Sequence, residues 1–444
     1  MKYSKFIFIL FFVIGVSCTG ELDIEPRQSI SEGIATATAE NIKNILIGAY
    51  NFGRNDLYGG NQTLYVELLG NTDQTAWNGT FANLRDLFAK QMTAANGSAN
   101  NMYADSYFII GSVNTVLANL DKFTDDAERN TAEGEALFIR GLAHFELVRL
   151  FGLPYAAGGA NSQLGVPVLL LPPDVDRKVP RNTVSEVYSQ VVADLTEAYT
   201  KLPDDNGVFA DKYAAQAVLA RVYLQMGDYA NARDAANDVI ANSGHGLMPT
   251  FADVFGTDDN TNEHIFSWII NNQEGTNFTV NHYASQPLGG RGGDISVEQA
   301  YLDKFDSPLD ERASFFYDEN GLTLTSKYAR QFANTTPIRL AEMYLIRAEA
   351  NFREGTSTGA TPLADINAVR SRSSAPDLGA VTLDLILNER ELELAFEGFV
   401  LHDYKRTQRN IGGLPYDDNR LVMPIPQSAR DRNDLLEQNP GYAN

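Results

Sequence analysis

The chain has 444 residues, of which 44% are hydrophobic and 21% are charged, so it is long enough to bury a large globular core. Its formal net charge of −22 argues against a nucleic-acid partner, because phosphate backbones are bound by basic surfaces. A single cysteine, Cys18, excludes an intramolecular disulfide, and the five histidines lack metal-binding spacing. We therefore expect no metal site and no cofactor.

Residues 1–17 have the pattern of a bacterial export signal. Two lysines precede an apolar run over residues 6–16, which is too short to span a bilayer. Cys18 follows directly, as in a lipoprotein signal, although Gly15 stands where Leu or Ile is usual. We expect Cys18 to be lipidated, with a polar tether over 18–36, so that the protein is anchored without a transmembrane helix. The alternative is a plain secretory signal with an incidental cysteine.

Helical periodicity dominates residues 37–243. Apolar side chains recur every three or four positions, which predicts amphipathic helices. Thr183 and Glu186 form a capping box ahead of one of them. Residues 211–243 have the length and the small-residue spacing of a tetratricopeptide-like helical hairpin, a unit that stacks on its neighbours. The other predicted helices cover about 37–52, 101–120 and 131–151.

Residues 246–335 interrupt the helical pattern with an irregular portion. An alternating run around Trp268 predicts a short strand with this side chain in the core, and Asn320-Gly321 predicts a β-hairpin. A Gly- and Asn-rich loop lies between them over residues 271–295. Long polar loops of this kind often carry binding function.

Three further helices are predicted over residues 336–410. Each is expected to begin at a threonine that can cap it, and proline follows in two cases. These expected starts are Thr336-Pro337, Thr361-Pro362 and Thr382.

A row of glutamates marks the last of these helices. Glu389, Glu393 and Glu397 are spaced by four residues, and like charges at that spacing repel each other. We therefore expect cations from the facing helices to meet the row as an ion-pair seam, rather than a catalytic carboxylate cluster. The candidate cations are Arg347, Arg370 and Arg372.

Four strings of the C-terminal half carry a family resemblance. They are IRLAEMYLIRAEANFREG, LADINAVRSRS, ILNERELELAFEG and MPIPQSA followed by LEQNPGY, and EALFIRGLAHFELVRLFGLPY adds a fifth near residue 140. The first four, in this order to the C-terminus, resemble the closing half of the SusD-like (RagB/SusD) family, the surface nutrient-binding lipoproteins of Bacteroidetes. The fifth closely resembles the most recognisable string of that family. One departure is Val400, where the family usually has an arginine.

The resemblance implies a mainly α fold. A tetratricopeptide-like scaffold of helical pairs would cover about 37–243 and 336–410, with the irregular, β-hairpin portion inserted over 246–335 and one domain spanning 37–444. It also implies a non-catalytic protein at the outer membrane that binds oligo- or polysaccharide and delivers it to a SusC-like TonB-dependent transporter. No residue pattern points to the transporter itself.

Glycan recognition combines an exposed flat aromatic side chain with amide, carboxylate or guanidinium groups. Trp77 lies in a polar loop and is the better placed of the two tryptophans. The resemblance implies that this loop and the 271–295 loop form the glycan site. The candidates are Asp73, Trp77, Asn78 and Arg85 in the first loop and Tyr283 and Arg291 in the second.

Two other functions remain open at this stage, and a third conflicts with the sequence. Relatives of the RagB type capture peptides, which would favour a site with backbone edges and charge over an aromatic one. A surface glycoside hydrolase would need two carboxylates across a cleft, and no local pattern singles out such a pair. A cytosolic tetratricopeptide adaptor conflicts with the export signal and Cys18.

Overall fold

The computed structural model describes residues 32–57, 60–174, 176–270, 272–273 and 276–443. The predicted export signal, Cys18 and the tether as far as residue 31 lie outside these ranges. The end of the predicted tether forms a short helix at Glu32–Ala35 rather than continuing as an extended segment. Within the described ranges, no helix combines the length and the apolar character that a membrane crossing requires.

Long helices make up the N-terminal half, as the periodicity predicts. The strongest predictions, for the helix that ends at Phe151 and the hairpin of residues 211–243, are both confirmed. The helices of this half are α1 Glu32–Ala35, α2 Ala39–Asp56, α3 Asn61–Leu69, α4 Ala82–Phe88, α5 Gly97–Leu117, α6 Asp126–Phe151, α7 Val184–Lys201, α8 Lys212–Met226 and α9 Tyr229–Asn242. A 3₁₀ turn, Leu120–Lys122, joins α5 to α6.

Shorter helices and three two-stranded sheets make up the rest. The helices are α10 Phe251–Phe255, α11 Phe278–Tyr283, α12 Gln299–Leu302, α13 Leu340–Glu354, α14 Pro362–Arg372, α15 Leu383–Glu393, α16 Val400–Arg406 and α17 Gln427–Arg432. The strands are β1 Thr75–Trp77, β2 His264–Trp268, β3 Ile295–Val297, β4 Phe316–Glu319, β5 Leu322–Thr325 and β6 Thr335–Arg339. Further 3₁₀ turns are Gln286–Leu288, Glu311–Ser314, Ser326–Tyr328 and Asn419–Leu421. All three pairings, β1–β3, β2–β6 and β4–β5, are antiparallel.

Helix α6 is the central element of the N-terminal half, and its residues from Gly134 to Phe151 are all buried. It packs between α5 and α7. Arg140 of α6 donates two hydrogen bonds to the Asp194 carboxylate of α7, at 2.9 and 2.7 Å. A bidentate charged pair of this kind fixes the relative orientation of the two helices as well as their distance.

Predicted caps and turns are confirmed where local chemistry decides the conformation. Thr183 and Glu186 form the capping box of α7. Thr361 and Thr382 cap α14 and α15. Asn320 and Gly321 both have positive φ in the turn between β4 and β5, which suits a two-residue hairpin.

The predicted helix start at Thr336 is wrong. Residues Thr335–Arg339 form strand β6, and α13 begins only at Leu340. β-Branched Thr336 and Ile338 favour an extended backbone, and β2 supplies the hydrogen-bonding partner from about 70 residues upstream. Trp268 of β2 is buried, as predicted, with 2% of its surface exposed.

The prediction that cations meet the glutamate row as an ion-pair seam is confirmed, but one of the three candidate cations is wrong. Arg370 pairs with Glu389 at 3.0 Å, and Arg372 pairs with Glu393. Arg347 instead binds Asp365, one helix away from the row. Three further cations, from residues outside α13, α14 and α15, complete the seam. The sequence pattern did not indicate them. They are Arg312 and Arg339, which bind Glu393, and Lys327, which binds Glu397.

Candidate functional site

The two loops predicted to bind ligand meet at the β1–β3 pair. Trp77 lies opposite Ile295 in this antiparallel ladder, and Thr75 lies opposite Val297. The backbone N–H of Asn78 extends the ladder by donating to the Asp294 carbonyl at 2.7 Å. Segments about 220 residues apart in sequence are thereby held side by side as one surface.

Asn78 is fastened to the second loop by its side chain as well. Its Nδ2 donates to the Ser296 hydroxyl at 3.0 Å and to the Gly293 carbonyl at 3.4 Å. The residue is nevertheless exposed. The amide is therefore held in a fixed orientation at the surface, where its Oδ1 can accept a hydrogen bond from a ligand hydroxyl.

His282 and four further side chains, Trp77, Phe81, Phe278 and Arg291, form what we call the aromatic platform. The His282 ring lies 6.1 Å from the Trp77 ring, 5.9 Å from Phe81 and 5.0 Å from Phe278, measured between ring centroids. The guanidinium of Arg291 stacks over the Phe81 ring at 4.5 Å. His282 is buried, whereas Phe81 is 46% exposed and the Arg291 side chain 42% exposed. The platform therefore presents an aromatic ring and a cation to solvent, above a buried imidazole.

Asp294 holds this arrangement together. Its Oδ2 is 2.8 Å from Nδ1 of His282 and accepts a 3.0 Å hydrogen bond from Nε of Arg291. Burial by itself would raise the pKa of Asp294, but the contacts with His282 and Arg291 outweigh it and lower the pKa below the ordinary value. The carboxylate therefore remains charged and orients both partners.

Trp77 is half-buried, and its own loop covers part of it. A Cβ at Gly79 would come within 2.4 Å of the Trp77 ring, so only glycine lets the chain cross so closely. The indole Nε1 is buried and has no hydrogen-bond partner in the described part of the chain. Trp77 is thus partly covered, and Phe81 is the aromatic ring that the platform exposes to solvent.

The other predicted residues are placed differently. Arg85 is exposed on α4, one turn after Phe81, which puts it at the edge of the platform. Asp73 is exposed at the far end of β1, where its charge acts on Lys90. Tyr283 is a correction, because it is fully buried against Tyr328 with ring centroids 5.0 Å apart. Its side chain packs the core beneath α11 and does not reach the surface.

Sequence reasoning missed four residues of the site, namely Phe81, Phe278, His282 and Asp294. A signal was present for one of them. Phe81 follows Asn-Gly-Thr in the same polar loop as Trp77, so the criterion that selected Trp77 also fits Phe81. The remaining three lie close to Trp77 only because β1 pairs with β3, and no local sequence pattern predicts that pairing.

Among the described residues, no group of three or more His, Cys, Asp or Glu side chains is arranged to hold a metal ion. The groups present at the platform offer stacking, cation contact and hydrogen bonding. These are the interactions that a binding surface for a ring-containing, hydroxyl-rich ligand uses.

The fold and this surface define a helical scaffold with a loop-borne binding platform, and comparisons with known proteins identify its family. Residues 22–224 match the family described as "Starch-binding associating with outer membrane", and residues 316–413 match the SusD family. Together with the solved structures below, these matches show that the chain belongs to the SusD/RagB family.

Individual relatives agree with this assignment. SusD-like protein P2 of Formosa agariphila is 25% identical, with all of both chains covered. A SusD superfamily crystal structure from Bacteroides thetaiotaomicron is 27% identical and has a TM-score of 0.82, covering 91% of this chain and 100% of that one. A second such structure, from Bacteroides vulgatus, has the same fold with a TM-score of 0.82 at 23% identity, covering 92% and 100%. The mainly α, tetratricopeptide-like fold class is thereby confirmed.

Proposed function

We propose that this protein is a non-catalytic glycan-binding protein of the cell surface, and that oligo- or polysaccharide binds on the aromatic platform. The observation that carries the proposal is the exposed Phe81 ring beside Arg291, with the fixed amide of Asn78 nearby. A sugar ring offers an apolar face for the first group and hydroxyl edges for the other two. The starch-binding description of the matching family points the same way.

The charges at the platform favour binding over hydrolysis. Glycosidases use two carboxyl groups, and one of them needs a raised pKa to act as the proton donor. Asp294 is a carboxylate in contact with the platform, and its pKa is lowered. Its Oδ2 is already engaged in hydrogen bonds with His282 and Arg291. It is suited to positioning and unsuited to proton donation.

The remaining parts of the proposal come from the family. We propose that the chain is lipidated at Cys18 and faces outward from the outer membrane. There it passes captured glycan to a SusC-like TonB-dependent transporter. The outer-membrane association in the description of the matching family supports this location.

Native affinity electrophoresis tests the binding proposal. The protein from residue 19 onward is run through gels that contain neutral or anionic polysaccharides, with Trp77→Ala and Phe81→Ala alongside. We expect one polymer to retard the wild type, and Phe81→Ala to lose more of this retardation than Trp77→Ala. The same polymer should release no reducing sugar on incubation. If every glycan fails while peptides bind, the peptide-capturing function of RagB-like relatives replaces this proposal.

A further inference from the structure

A small internal cavity lies where α6, α8 and α16 meet, and its lining includes none of the platform residues. The centre of a water-sized molecule has about 10 Å³ in which to move, which is room for about one such guest. Besides Tyr155 and Tyr188, its lining includes Arg149 of α6, Gln225 of α8, and His402 and Lys405 of α16, and the argument concerns these last four. Each of these four side chains belongs to a residue that is at least nine-tenths buried.

Two buried cations, Lys405 and Arg149, belong to this lining. Lys405 is 3% exposed, and its ammonium donates to the Leu421 carbonyl at 2.7 Å. No carboxylate lies within ion-pair distance of Lys405 in the described part of the chain. Arg149 pairs with Glu146, which also accepts a hydrogen bond from Gln62. Lys405 is therefore a buried cation without a carboxylate partner among the described residues.

His402 adds an unused hydrogen-bonding atom. Its Nε2 is buried and has no partner among the described residues. Burial, followed by the charges of Arg149, Lys405 and Arg221, lowers the pKa of His402 well below its ordinary value. Burial and Arg149 likewise lower the pKa of Lys405 to about 7. A buried polar atom without a partner and a buried cation without a counter-charge are both costly, and one guest can relieve both.

We infer that this cavity is an internal site for one small monovalent inorganic anion of about the size of chloride. Such an ion would accept hydrogen bonds from Lys405 and His402 and offset the charge of Lys405. The bound ion would tie α16 to α6 and α8, so that halide binding stabilises the fold.

Crystals of the purified protein grown in sodium bromide provide the decisive test. We expect an anomalous bromine peak within hydrogen-bond distance of Nζ of Lys405. An ordered water without anomalous signal at that position would overturn the inference. This experiment needs no variant, so a folding defect cannot obscure it.

Thermal unfolding gives an independent measurement in solution. Sodium chloride is compared with sodium gluconate, whose anion is too large for the cavity, at equal ionic strength. Above the dissociation constant, the wild-type Tm should rise by roughly 1–2 °C for each tenfold increase in chloride, relative to gluconate. Lys405→Met should lose this chloride-specific rise, and Lys178→Met, which removes a half-exposed surface lysine, should retain it. Equal Tm values for the wild type in the two salts would overturn the inference.

Discussion

Asp294 is the residue that makes the platform rigid. One carboxylate oxygen holds both the buried imidazole of His282 and the exposed guanidinium of Arg291, at 2.8 and 3.0 Å. Because Arg291 in turn stacks on Phe81, the exposed ring is also held in place. Rigid groups of this kind lose little conformational entropy when a ligand binds.

Asp294→Asn should therefore loosen the platform and weaken the fold. Replacing a charged acceptor of two hydrogen bonds should cost about 1.5–3 kcal/mol of unfolding free energy at pH 7. Since the folded pKa lies below the ordinary value, this stabilisation is present above about pH 4 and is lost as the pH falls further. Urea unfolding at several pH values measures both effects. Asp434→Asn, at an exposed surface pair, is the control, and equal stability of the two variants would contradict this role.

Glu67 is a second residue whose environment sets its protonation. It is buried on α3, and its carboxyl accepts a 2.8 Å hydrogen bond from the Gly398 backbone. Burial is the largest influence and raises the pKa of Glu67 from 4.5 to about 8. The protonated form therefore predominates in the folded protein at neutral pH.

The pH dependence of Glu67→Gln follows from that shift. Because the pKa of Glu67 is raised in the folded protein, its contribution to the free energy of unfolding is greatest below pH 4.5. That contribution declines as the pH rises toward about 8. Glu67→Gln should lack this decline, so its unfolding free energy relative to wild type should increase between pH 5 and pH 8. Urea midpoints across that range test it, with exposed Glu197→Gln as control. A constant difference between Glu67→Gln and wild type would refute the shift.

At the scale of elements, the ion-pair seam joins segments that are distant in sequence. Glu393 of α15 receives Arg339 from the end of β6, Arg372 from α14 and Arg312 from the preceding 3₁₀ turn. All four side chains are at least 97% buried. Opposing charges that are so deeply buried depend on each other, because none of them can be hydrated instead.

Glu393→Gln should be among the most destabilising single changes in the chain. It removes the charge that three guanidinium groups share, and leaving buried cations without their partner costs about 3–5 kcal/mol. Asp306→Asn is a matched control within the same seam, since Asp306 pairs with Arg370 at 3.0 Å but is 53% exposed, and should cost about 1 kcal/mol or less. Guanidinium unfolding compares the two. Similar midpoints would show that the seam contributes little.

The sequence predicts those elements whose conformation is decided locally. The capping box at Thr183 and the turn at Asn320-Gly321 depend on neighbouring residues, and both are confirmed. Strand β6 was mistaken for a helix start because its partner, β2, lies about 70 residues away. Only three residues of β1 pair with β3, and so short a ladder leaves no periodic pattern to detect.

The candidate site was predicted in part for the same reason. The two loops predicted to bind ligand do lie side by side, and their meeting depends on the β1–β3 contact. The local composition shows that Trp77 lies in a polar loop. It does not show that the backbone at Gly79 passes close to the Trp77 ring and covers part of it. Tyr283 was predicted to face ligand because the family resemblance places the 271–295 loop at the site, yet its neighbours in space are Tyr328 and Phe396.

In the molecule as a whole, the helices form the scaffold, and the loops that they carry form the aromatic platform. The helices bury the core, and one solved SusD superfamily structure matches 91% of the chain. The platform stands on short strands and α11, which connect these loops. Changes confined to the platform surface should therefore alter binding without unfolding the scaffold.

Isothermal titration of the glycan that retards the wild type, with Phe81→Ala and Phe108→Ala, tests the central claim most directly. Both phenylalanines are about half exposed, but only Phe81 belongs to the platform. Loss of one stacking ring should weaken binding about tenfold, or ~1.4 kcal/mol, in Phe81→Ala and leave Phe108→Ala at the wild-type affinity. Wild-type affinity in Phe81→Ala would contradict the assignment of the aromatic platform as the glycan site.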